Sequence, residues 1–405
     1  MTSNRQPRRI TRRQLLSASG AIGTVSLAGC TSSLPNPFSS AGADGVDSDE
    51  YEIEEVVDGL DSPWGLAFVP DSSELFVTEV DGQLLRIECE EGTTEFIEGL
   101  PDVSTRGQGG LLDIALHPAF SDEPWVYLTY AAANGNGETT THVGRGLLSD
   151  TEPAFAEFEQ LRAAEPFVDS GQHYGSRVMF GPDEMLYVTV GDRGFKDFGP
   201  DHVSQDTTNE LGTTLRLTPS GEVPSDNPFV DDSEVVDSIF SYGHRNAQGM
   251  TIHPETDEIW QSEHGEQDGD SIRVVDAGEN HGWPIAHYGC TYGGGDPVGD
   301  EPHERDDVVD PRYYWECNSG GFPPAGMTFY TGDAFPAWNG DLFVGNLAGQ
   351  YLGRFVVDED SVAETNPLLD GAEWRIRDVA EAPDTGHLYV LIDDSDVPLV
   401  RLVPK

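Results

Sequence analysis

Four arginines stand beside short apolar runs in a chain that has few basic residues. Arg177, Arg245, Arg375 and Arg377 belong to a set of 22 lysines and arginines, against 73 aspartates and glutamates. Arginine recognises carboxylates through a planar fork of donors, and a strand would carry Arg375 and Arg377 on one face because they are two residues apart. The pattern indicates a site for a small anionic ligand. The alternative is that each arginine pairs with an abundant acid, as Arg377 would with Asp378.

His173 is the candidate general base among the eleven histidines. It lies in the string Gly-Gln-His-Tyr-Gly at residues 171–175, immediately ahead of an apolar run. The two glycines permit close approach of backbone or ligand, and an imidazole changes its protonation near neutral pH. His264, in the string Glu-His-Gly, is a second residue that we expect to line the site.

The other histidines carry weaker signals. His117 and His253 each precede a proline at the same place in the turn between two apolar runs, so we predict structural roles for both. His281, His287 and His303 lie in a long loop without metal-ligand spacing, and we expect them to be solvated.

A short pattern that recurs six times indicates what must position these residues. Each copy is an apolar run, a turn and a second run rich in β-branched and aromatic residues, which is typical of the inner hairpin of a propeller blade. We therefore predict an all-β fold for residues 51–405, a six-bladed β-propeller of four-stranded antiparallel blades. The copies are 64–68 with 75–78, 112–116 with 126–129, 177–180 with 186–189, 249–252 with 258–260, 326–329 with 342–345, and 377–380 with 388–391.

Function in a propeller usually resides in the loops at one end of the central channel. The segments that join or end the inner strands are therefore the ones expected to form the site. These segments are residues 107–110, 171–177, 241–249, 263–272 and 374–379.

The formal net charge of -51 is spread along the chain. Such a chain repels itself unless molar salt screens each carboxylate within about 3 Å, so the composition indicates a salt-loving source. A specific cationic partner is the alternative, but it would concentrate the acids in one tail. Charge of this sign makes nucleic acid a poor partner.

The N-terminus has the composition of an export signal. Residues 1–30 combine five arginines with an apolar stretch, and residues 11–16 are similar to a twin-arginine signal, which exports folded proteins. Leu27-Ala-Gly-Cys30 resembles a lipobox, so we expect lipidation of Cys30. Residues 31–50, rich in Ser, Pro, Gly and Asp, read as a flexible tether. The mature protein is expected on the extracellular face of the membrane.

Three further cysteines follow Cys30. In an oxidising exterior, a disulfide between Cys290 and Cys317 would close the long loop between the fourth and fifth repeats and leave Cys89 unpaired. Three buried free thiols are the alternative. No cysteine spacing suggests zinc.

Seven strings in chain order carry a family resemblance, at 107–115, 173–183, 186–192, 241–250, 263–265, 280–284 and 375–379. Together they resemble the soluble quinoprotein glucose and aldose sugar dehydrogenases, six-bladed propellers of the glucose/sorbosone dehydrogenase type that use pyrroloquinoline quinone (PQQ) and calcium. The resemblance implies oxidation of an aldose at C1 to the lactone by hydride transfer to PQQ. His173 would then be the general base and Arg245 would stabilise the reduced quinone oxygen, while Gln108 and Asn246 would hold the cofactor.

The same resemblance implies the anion and metal contacts. Arg375 and Arg377 would meet carboxylates of PQQ, and backbone carbonyls at Gly265 and Glu266 would hold calcium. Glu266 replaces the proline usual in the family, so it either adds a carboxylate ligand or alters the site. Relatives also place a cofactor-contacting lysine in the fifth repeat, whereas this chain has no lysine between residues 197 and 404.

Three functions remain open at this point. The first is an exported quinoprotein that oxidises a small sugar and passes electrons to a membrane-associated acceptor. The second is a cofactor-free propeller that binds a sugar or a protein partner. The third is a calcium-dependent lactonase-type hydrolase, which would require acidic and amide side chains along the channel rather than arginines.

Overall fold

The computed structural model describes residues 9–10, 51–359 and 361–405. The predicted export signal, the lipidation site Cys30 and the tether therefore lie outside the described residues, apart from a two-residue strand at Arg9–Ile10. Among the residues described, no helix is long and apolar enough to cross a membrane.

The first three blades are antiparallel four-stranded sheets, each built from consecutive strands. Two strands precede them, β1 and β2, and pair with each other. The strands in chain order are β1 Arg9–Ile10, β2 Tyr51–Asp61, β3 Pro63–Phe68, β4 Glu74–Glu79, β5 Gln83–Glu88, β6 Thr93–Phe96, β7 Leu111–Leu116, β8 Trp125–Ala133, β9 Thr139–Leu148, β10 Phe155–Ala163, β11 Gly175–Phe180, β12 Leu186–Val190, β13 Thr213–Leu217 and β14 Ile239–Tyr242.

The fourth and fifth blades repeat this plan, with a small hairpin, β18 and β19, inserted before the last strand of the fourth. Two 3-10 turns occupy Pro302–Glu304 and Pro336–Trp338. The remaining strands are β15 Ala247–Ile252, β16 Ile259–Glu263, β17 Ser271–Val275, β18 Ala286–Cys290, β19 Pro297–Gly299, β20 Tyr313–Tyr314, β21 Pro324–Phe329, β22 Leu342–Asn346, β23 Tyr351–Asp358, β24 Ser361–Glu364, β25 Ile376–Glu381, β26 Leu388–Ile392 and β27 Ser395–Pro404.

The sixth blade closes the ring by joining the two ends of the domain. Its order is β2-β27-β26-β25, with β1 added outside β2, so an early strand pairs antiparallel with the last one. The innermost strands β3, β7, β11, β15, β21 and β25 contact one another in a closed ring. These observations confirm the predicted six-bladed propeller with mostly four-stranded blades.

The repeated apolar pattern explains the shared burial of the inner hairpins. The first four residues of all six innermost strands are buried, and second strands such as β12 and β26 are buried throughout. Strands β12 and β26 are mostly apolar, as expected for strands covered on both faces by neighbouring blades, whereas the buried parts of the innermost strands also carry polar residues such as Arg177 and Asp378. The core therefore lies between blades.

A buried ion network crosses the central channel. Arg177 Nη1 on β11 lies 3.0 Å from Asp113 Oδ1 on β7 and 3.1 Å from Asp378 Oδ2 on β25. Arg177 Nε donates to the carbonyl of Gln248 on β15 at 2.8 Å, and Val178 N donates to Asp113 Oδ2 at 2.7 Å. Burial raises the pKa of both aspartates, and Arg177 opposes that shift. Arg177 therefore serves the scaffold, and its predicted place among the anion-binding arginines is wrong.

The disulfide between Cys290 and Cys317 is present, with the Cα atoms 5.5 Å apart, while Cys89 is a buried free thiol. This confirms the predicted pairing. The bond joins the end of β18 to the segment after β20, so it closes the long loop of the fourth blade.

The structure confirms some of the predictions for the remaining histidines and contradicts others. The ring Nδ1 atoms of His117 and His253 accept backbone N–H groups in their own turns, which confirms their structural roles, and His303 is exposed. His281 and His287 are buried, so their predicted solvation is wrong. The long loop folds back onto the blade, where His281 stacks on His244 with ring centroids 4.6 Å apart.

We expect Arg177→Met to lower the free energy of unfolding by about 3–5 kcal/mol, because it leaves two buried carboxylates without their cation. Arg86→Met is the matched control, since Arg86 pairs with Glu74 in a partly exposed position and should cost under about 1 kcal/mol. Urea titration in molar salt measures both variants. An Arg177→Met protein as stable as the control would show that the network contributes nothing to stability.

Candidate active site

A cavity of about 830 Å³ opens among the loops at one end of the propeller. All five predicted loop segments contribute to its wall, which confirms their choice. All eight residues predicted for the site from the sequence line it, namely Gln108, His173, Arg245, Asn246, Gly265, Glu266, Arg375 and Arg377. His264 lines it as well.

His173 is held at the cavity wall by its backbone and its ring. Its φ of 46° lies in the left-handed region, which a side chain adopts only where the surroundings enforce it. Its backbone N–H donates to Gln108 Oε1 at 2.7 Å, and its ring Nδ1 lies 2.6 Å from Asp192 Oδ1. A carboxylate accepts hydrogen bonds, so Nδ1 carries the proton and Nε2 is the basic nitrogen.

Asp192 is a site residue that sequence reasoning did not single out. It follows β12 and also accepts Trp283 Nε1 at 2.8 Å and Gly194 N at 2.7 Å. The sequence did contain a signal for this residue. Asp192 ends the family-like string Leu-Tyr-Val-Thr-Val-Gly-Asp, in which the preceding residues mostly form strand β12. Three donors fix the carboxylate, and the carboxylate in turn fixes the imidazole.

Burial and two nearby cations keep the ring of His173 neutral. Burial lowers the pKa of His173, the hydrogen bond and charge of Asp192 oppose that shift, and Arg245 and Lys196 lower the pKa further. Burial alone would raise the pKa of Asp192, but His173 and Arg245 outweigh it and the net shift is downward. A neutral imidazole beside an ionised carboxylate is the protonation state of a competent base.

A buried chain of side chains positions the backbone of Arg245. Ser241 Oγ lies 2.8 Å from His244 Nε2, and His244 Nδ1 lies 3.2 Å from Glu263 Oε2. Glu263 also accepts the backbone N–H of Arg245 and pairs with Arg273 at 3.2 Å. Ser241, His244 and Glu263 are each at most 3 % exposed, so this arrangement has no access to substrate and its role is to hold Arg245.

The Arg245 guanidinium lines the cavity, and only some of its N–H groups have hydrogen-bond partners among the described residues. Its Nη2 donates to Glu266 Oε2 at 2.7 Å and its Nη1 to the carbonyl of His264 at 3.3 Å. Its buried Nε has no hydrogen-bond partner among the described residues. A buried guanidinium donor without a partner is costly. Arg177 Nη2 is in the same state, but of the two only Arg245 lines the cavity, where a ligand oxygen can reach it.

Lys196 is a second residue that the sequence prediction did not find. It lines the cavity and its ammonium contacts the Glu266 carboxylate. The family resemblance points to a lysine in the fifth repeat, whereas Lys196 comes from the loop after β12 in the third blade. The packing of the third blade beside the fourth brings that loop to the Glu266 segment, so spacing along the chain carried no signal.

Gln108 and Asn246, predicted to hold a cofactor, also brace the His173 loop. Gln108 Oε1 accepts the His173 N–H, and Asn246 Oδ1 accepts Gly175 N at 3.0 Å. Neither side-chain amide nitrogen has a hydrogen bond within the described part of the chain. Each side chain can therefore link the loop to a ligand through its NH2 group.

Arg375 and Arg377 share one carboxylate, which confirms that they lie on the same face. Arg375 Nη2 lies 2.6 Å from Asp393 Oδ2, and Arg377 Nη2 lies 2.9 Å from Asp393 Oδ1. The alternative in which Arg377 pairs with an acid therefore holds, but its partner is Asp393 and not Asp378, because adjacent residues of a strand point to opposite faces and Asp378 pairs with Arg177 in the channel. Asp393 follows β26, and its spacing from the arginines gave no sequence signal.

The candidate metal site consists of oxygen donors. Gly265 N donates to Asp270 Oδ1 at 2.9 Å, which turns the loop that carries Glu266. No group of three or more His, Cys, Asp or Glu side chains within the described ranges could hold a metal ion. A hard cation such as calcium fits this donor set only if backbone carbonyls supply further ligands.

Residues 60–401 match the family model described as Glucose / Sorbosone dehydrogenase. The chain belongs to this family. The aldose sugar dehydrogenase YliI of Escherichia coli is 35% identical over 357 residues, which cover 87% of this chain and 93% of the relative. The quinoprotein glucose dehydrogenase B of Acinetobacter calcoaceticus is 25% identical over 417 residues, which cover 85% of this chain and 86% of the relative.

Solved structures of glucose/sorbosone dehydrogenase relatives agree with the fold. The apo-form of the soluble aldose sugar dehydrogenase from Escherichia coli superposes with a TM-score of 0.80 at 35% identity, covering 88% of this chain and 100% of that one. The PQQ-bound form of aldose sugar dehydrogenase from Streptomyces coelicolor gives a TM-score of 0.71 at 27% identity, covering 88% and 99%. The resemblance inferred from the strings is therefore confirmed.

We expect the ring of His173 to titrate below the usual pKa of about 6.5 for histidine, because burial outweighs Asp192. Asp192→Asn should lower the pKa further, since it removes the negative charge that favours the imidazolium. NMR titration of histidine-labelled protein measures both values, with the His173 signal assigned by its loss in His173→Gln. A pKa that rises in Asp192→Asn would contradict this account of the site.

Proposed function

We propose that this chain is an exported PQQ-dependent dehydrogenase that oxidises an aldose at C1 to the lactone. The observation that carries the proposal is the juxtaposition in one cavity of the His173–Asp192 pair with Arg245, whose buried Nε has no hydrogen-bond partner in the described part of the chain. A general base beside an unsatisfied guanidinium suits the removal of a proton at one atom and the stabilisation of charge at another.

The cavity fits a quinone that carries three carboxylates. Arg245 and Lys196 stand together at one carboxylate, Glu266, and Arg375 and Arg377 stand together at another, Asp393. Two cations at one carboxylate present N–H donors on both sides of it, an arrangement that suits a ligand carboxylate. Asp268 and Asp270 also line the cavity. The PQQ-bound Streptomyces coelicolor relative supports this choice of ligand. When bound, PQQ would supply the two-electron acceptor for the hydride that leaves C1 of the sugar.

The protein's own residues would move the proton and hold the reactants. His173 Nε2 takes the proton of the C1 hydroxyl, and Asp192 keeps the proton of Nδ1 in place, so that the basic nitrogen faces the cavity. Arg245 donates to the oxygen on which negative charge develops. Gln108 and Asn246 would bind the cofactor through their amide NH2 groups while they hold the His173 loop.

Calcium is the proposed metal, held by backbone carbonyls of Gly265 and Glu266 with the Glu266 carboxylate beside them. Oxygen ligands of these kinds are the ones that calcium prefers. The lactonase-type alternative loses support, because the chain belongs to the Glucose / Sorbosone dehydrogenase family.

The cofactor-free binding propeller remains the second candidate, on one specific observation. Arg245, Arg375 and Arg377 are already paired with Glu266 or Asp393 in this structure. A cavity whose cations are satisfied internally can persist without an anionic ligand. Such a propeller would still bind a neutral sugar through its polar wall.

The sequence features of the N-terminus support a location of the enzyme outside the cell, at the membrane. A twin-arginine-type signal at 1–30, lipidation at Cys30 and a tether at 31–50 would hold the enzyme at the extracellular face of the membrane. The proposed electron acceptor is membrane-associated, because anchoring the enzyme to the membrane would raise the effective concentration of such an acceptor near the enzyme. The evenly spread charge of -51 supports a halophilic setting.

Titration of the purified protein with PQQ in molar salt and calcium, followed by addition of an aldose, tests the proposal. Stoichiometric binding and sugar-dependent bleaching of the quinone spectrum are the expected results. Folded, calcium-supplied protein that binds no PQQ would overturn the proposal in favour of the cofactor-free propeller.

We expect His173→Ala to retain PQQ binding and to lose at least about 10²-fold in turnover, as is typical when a general base is removed. His173→Gln should lose as much, although its amide can still donate to Asp192, because it lacks the basic nitrogen. Stopped-flow reduction of bound PQQ by aldose measures both variants. Turnover in His173→Gln close to that of the unchanged protein would remove His173 from proton transfer.

A further inference from the structure

The turn that carries Glu266 forms part of the cavity wall. Its residues, 265–270, lie between β16 and β17, and all of them except Gly269 line the cavity. Asp268 and Gly269 have φ values of 57° and 75°, in the left-handed region. A side chain adopts that region only where its surroundings enforce it, so the shape of the turn depends on contacts from outside it.

Two segments of the chain hold this turn through backbone hydrogen bonds. Gln267 N donates to the carbonyl of Cys290 at 2.9 Å, and Cys290 N donates to the carbonyl of Gln267 at 3.0 Å. From the segment after β20, the carbonyl of Trp315 accepts Gly269 N at 2.7 Å. We call these two segments the flanking segments, residues 286–292 and 313–322.

The disulfide joins the flanking segments to each other, because Cys290 lies in the first and Cys317 in the second. Weaker contacts accompany it. Cys317 N donates to the carbonyl of Tyr288 at 3.1 Å, and the rings of Tyr288 and Tyr314 stack with centroids 3.5 Å apart. The covalent bond therefore lies directly beside the hydrogen bonds that hold the turn.

The flanking segments also contribute their own residues to the cavity wall. Tyr292 follows Cys290 closely and lines the cavity, and Gly320 and Gly321 of the second segment do so as well. Asn318 N donates to the Asp268 carboxylate of the turn. One covalent bond thus ties together three pieces of the wall.

We propose that the disulfide positions this wall and keeps the Glu266 carboxylate at Arg245, whose Nη2 lies 2.7 Å from Glu266 Oε2. A cross-link restricts the open conformations that the flanking segments can reach. Without it the segments separate more often, their hold on the turn weakens, and Glu266 leaves Arg245 more often. Cys290 and Cys317 act here as positioning residues and touch no reacting atom.

Hydrogen–deuterium exchange of the apo protein in molar salt, read by mass spectrometry, tests this inference without a ligand. The double variant Cys290→Ala/Cys317→Ala removes the bond. Cys89→Ala is the matched control, because it truncates a buried cysteine that forms no disulfide. Reduction of the unchanged protein by dithiothreitol is a second route, since Cys317 is partly exposed. The reagent supplies two electrons and two protons, which yields two thiols and its own cyclic disulfide.

We expect the amides of the turn and of both flanking segments to exchange at least about tenfold faster in the double variant and in the reduced protein, because local opening does not require global unfolding. Strands β12 and β26 should exchange as in the unchanged protein. Cys89→Ala should leave the turn unaffected. Exchange that stays slow in the turn, or that accelerates equally in all strands, would overturn the inference.

The consequence for a ligand rests on the proposed function. PQQ should bind at least about tenfold more weakly to the double variant, with Cys89→Ala within about twofold of the unchanged protein. Equal PQQ affinity in a double variant whose turn exchanges faster would overturn the positioning role. A protein that shows the exchange pattern but binds no PQQ in any form would reject only the proposed function.

Discussion

The propeller depends on one position in its innermost strands. The third residue of these six strands is, in ring order, Gly65, Asp113, Arg177, Gly249, Gly326 and Asp378. A Cβ on Gly65 would lie 2.5 Å from Asp113 Oδ1, and one on Gly326 would lie 1.6 Å from Asp378 Oδ1. The two glycines leave room for buried carboxylates, and Arg177 pairs with both carboxylates at once. Ion pairing and close packing at this level hold the inner ring together.

The site is built directly upon that ring. Gln248 supplies the link, because its carbonyl accepts Arg177 in the channel while its side-chain Oε1 lies 3.0 Å from His264 Nε2 and 3.3 Å from Arg377 Nη1. The strands that carry the network also carry or immediately follow the site residues. A rigid scaffold of this kind suits a reaction that requires a fixed distance between base, cations and ligand.

Carboxylates govern the electrostatics of the cavity. In a chain with 73 acids and 22 basic residues, each cation of the site is held by an acid, and Glu266 and Asp393 are each shared by two cations. Sharing keeps these cations in place without a ligand. Asp192 likewise holds His173, but here the carboxylate fixes which ring nitrogen carries the proton.

Strand periodicity and family-like strings are local properties of a sequence. The sequence by itself therefore determined the six inner hairpins and the loops that form the cavity. It also determined the eight predicted residues that line the cavity. It also indicated the Cys290–Cys317 disulfide as one of two alternatives. Only the tertiary structure decided which partner each charge meets: Asp192 for His173, Asp393 for Arg377, Lys196 for Glu266, and the channel aspartates for Arg177. It likewise decided that His281 and His287 are buried. These pairs join separate strands and loops, some within one blade and others in different blades. The packing of strands within and between blades, and not spacing along the chain, therefore sets their distances.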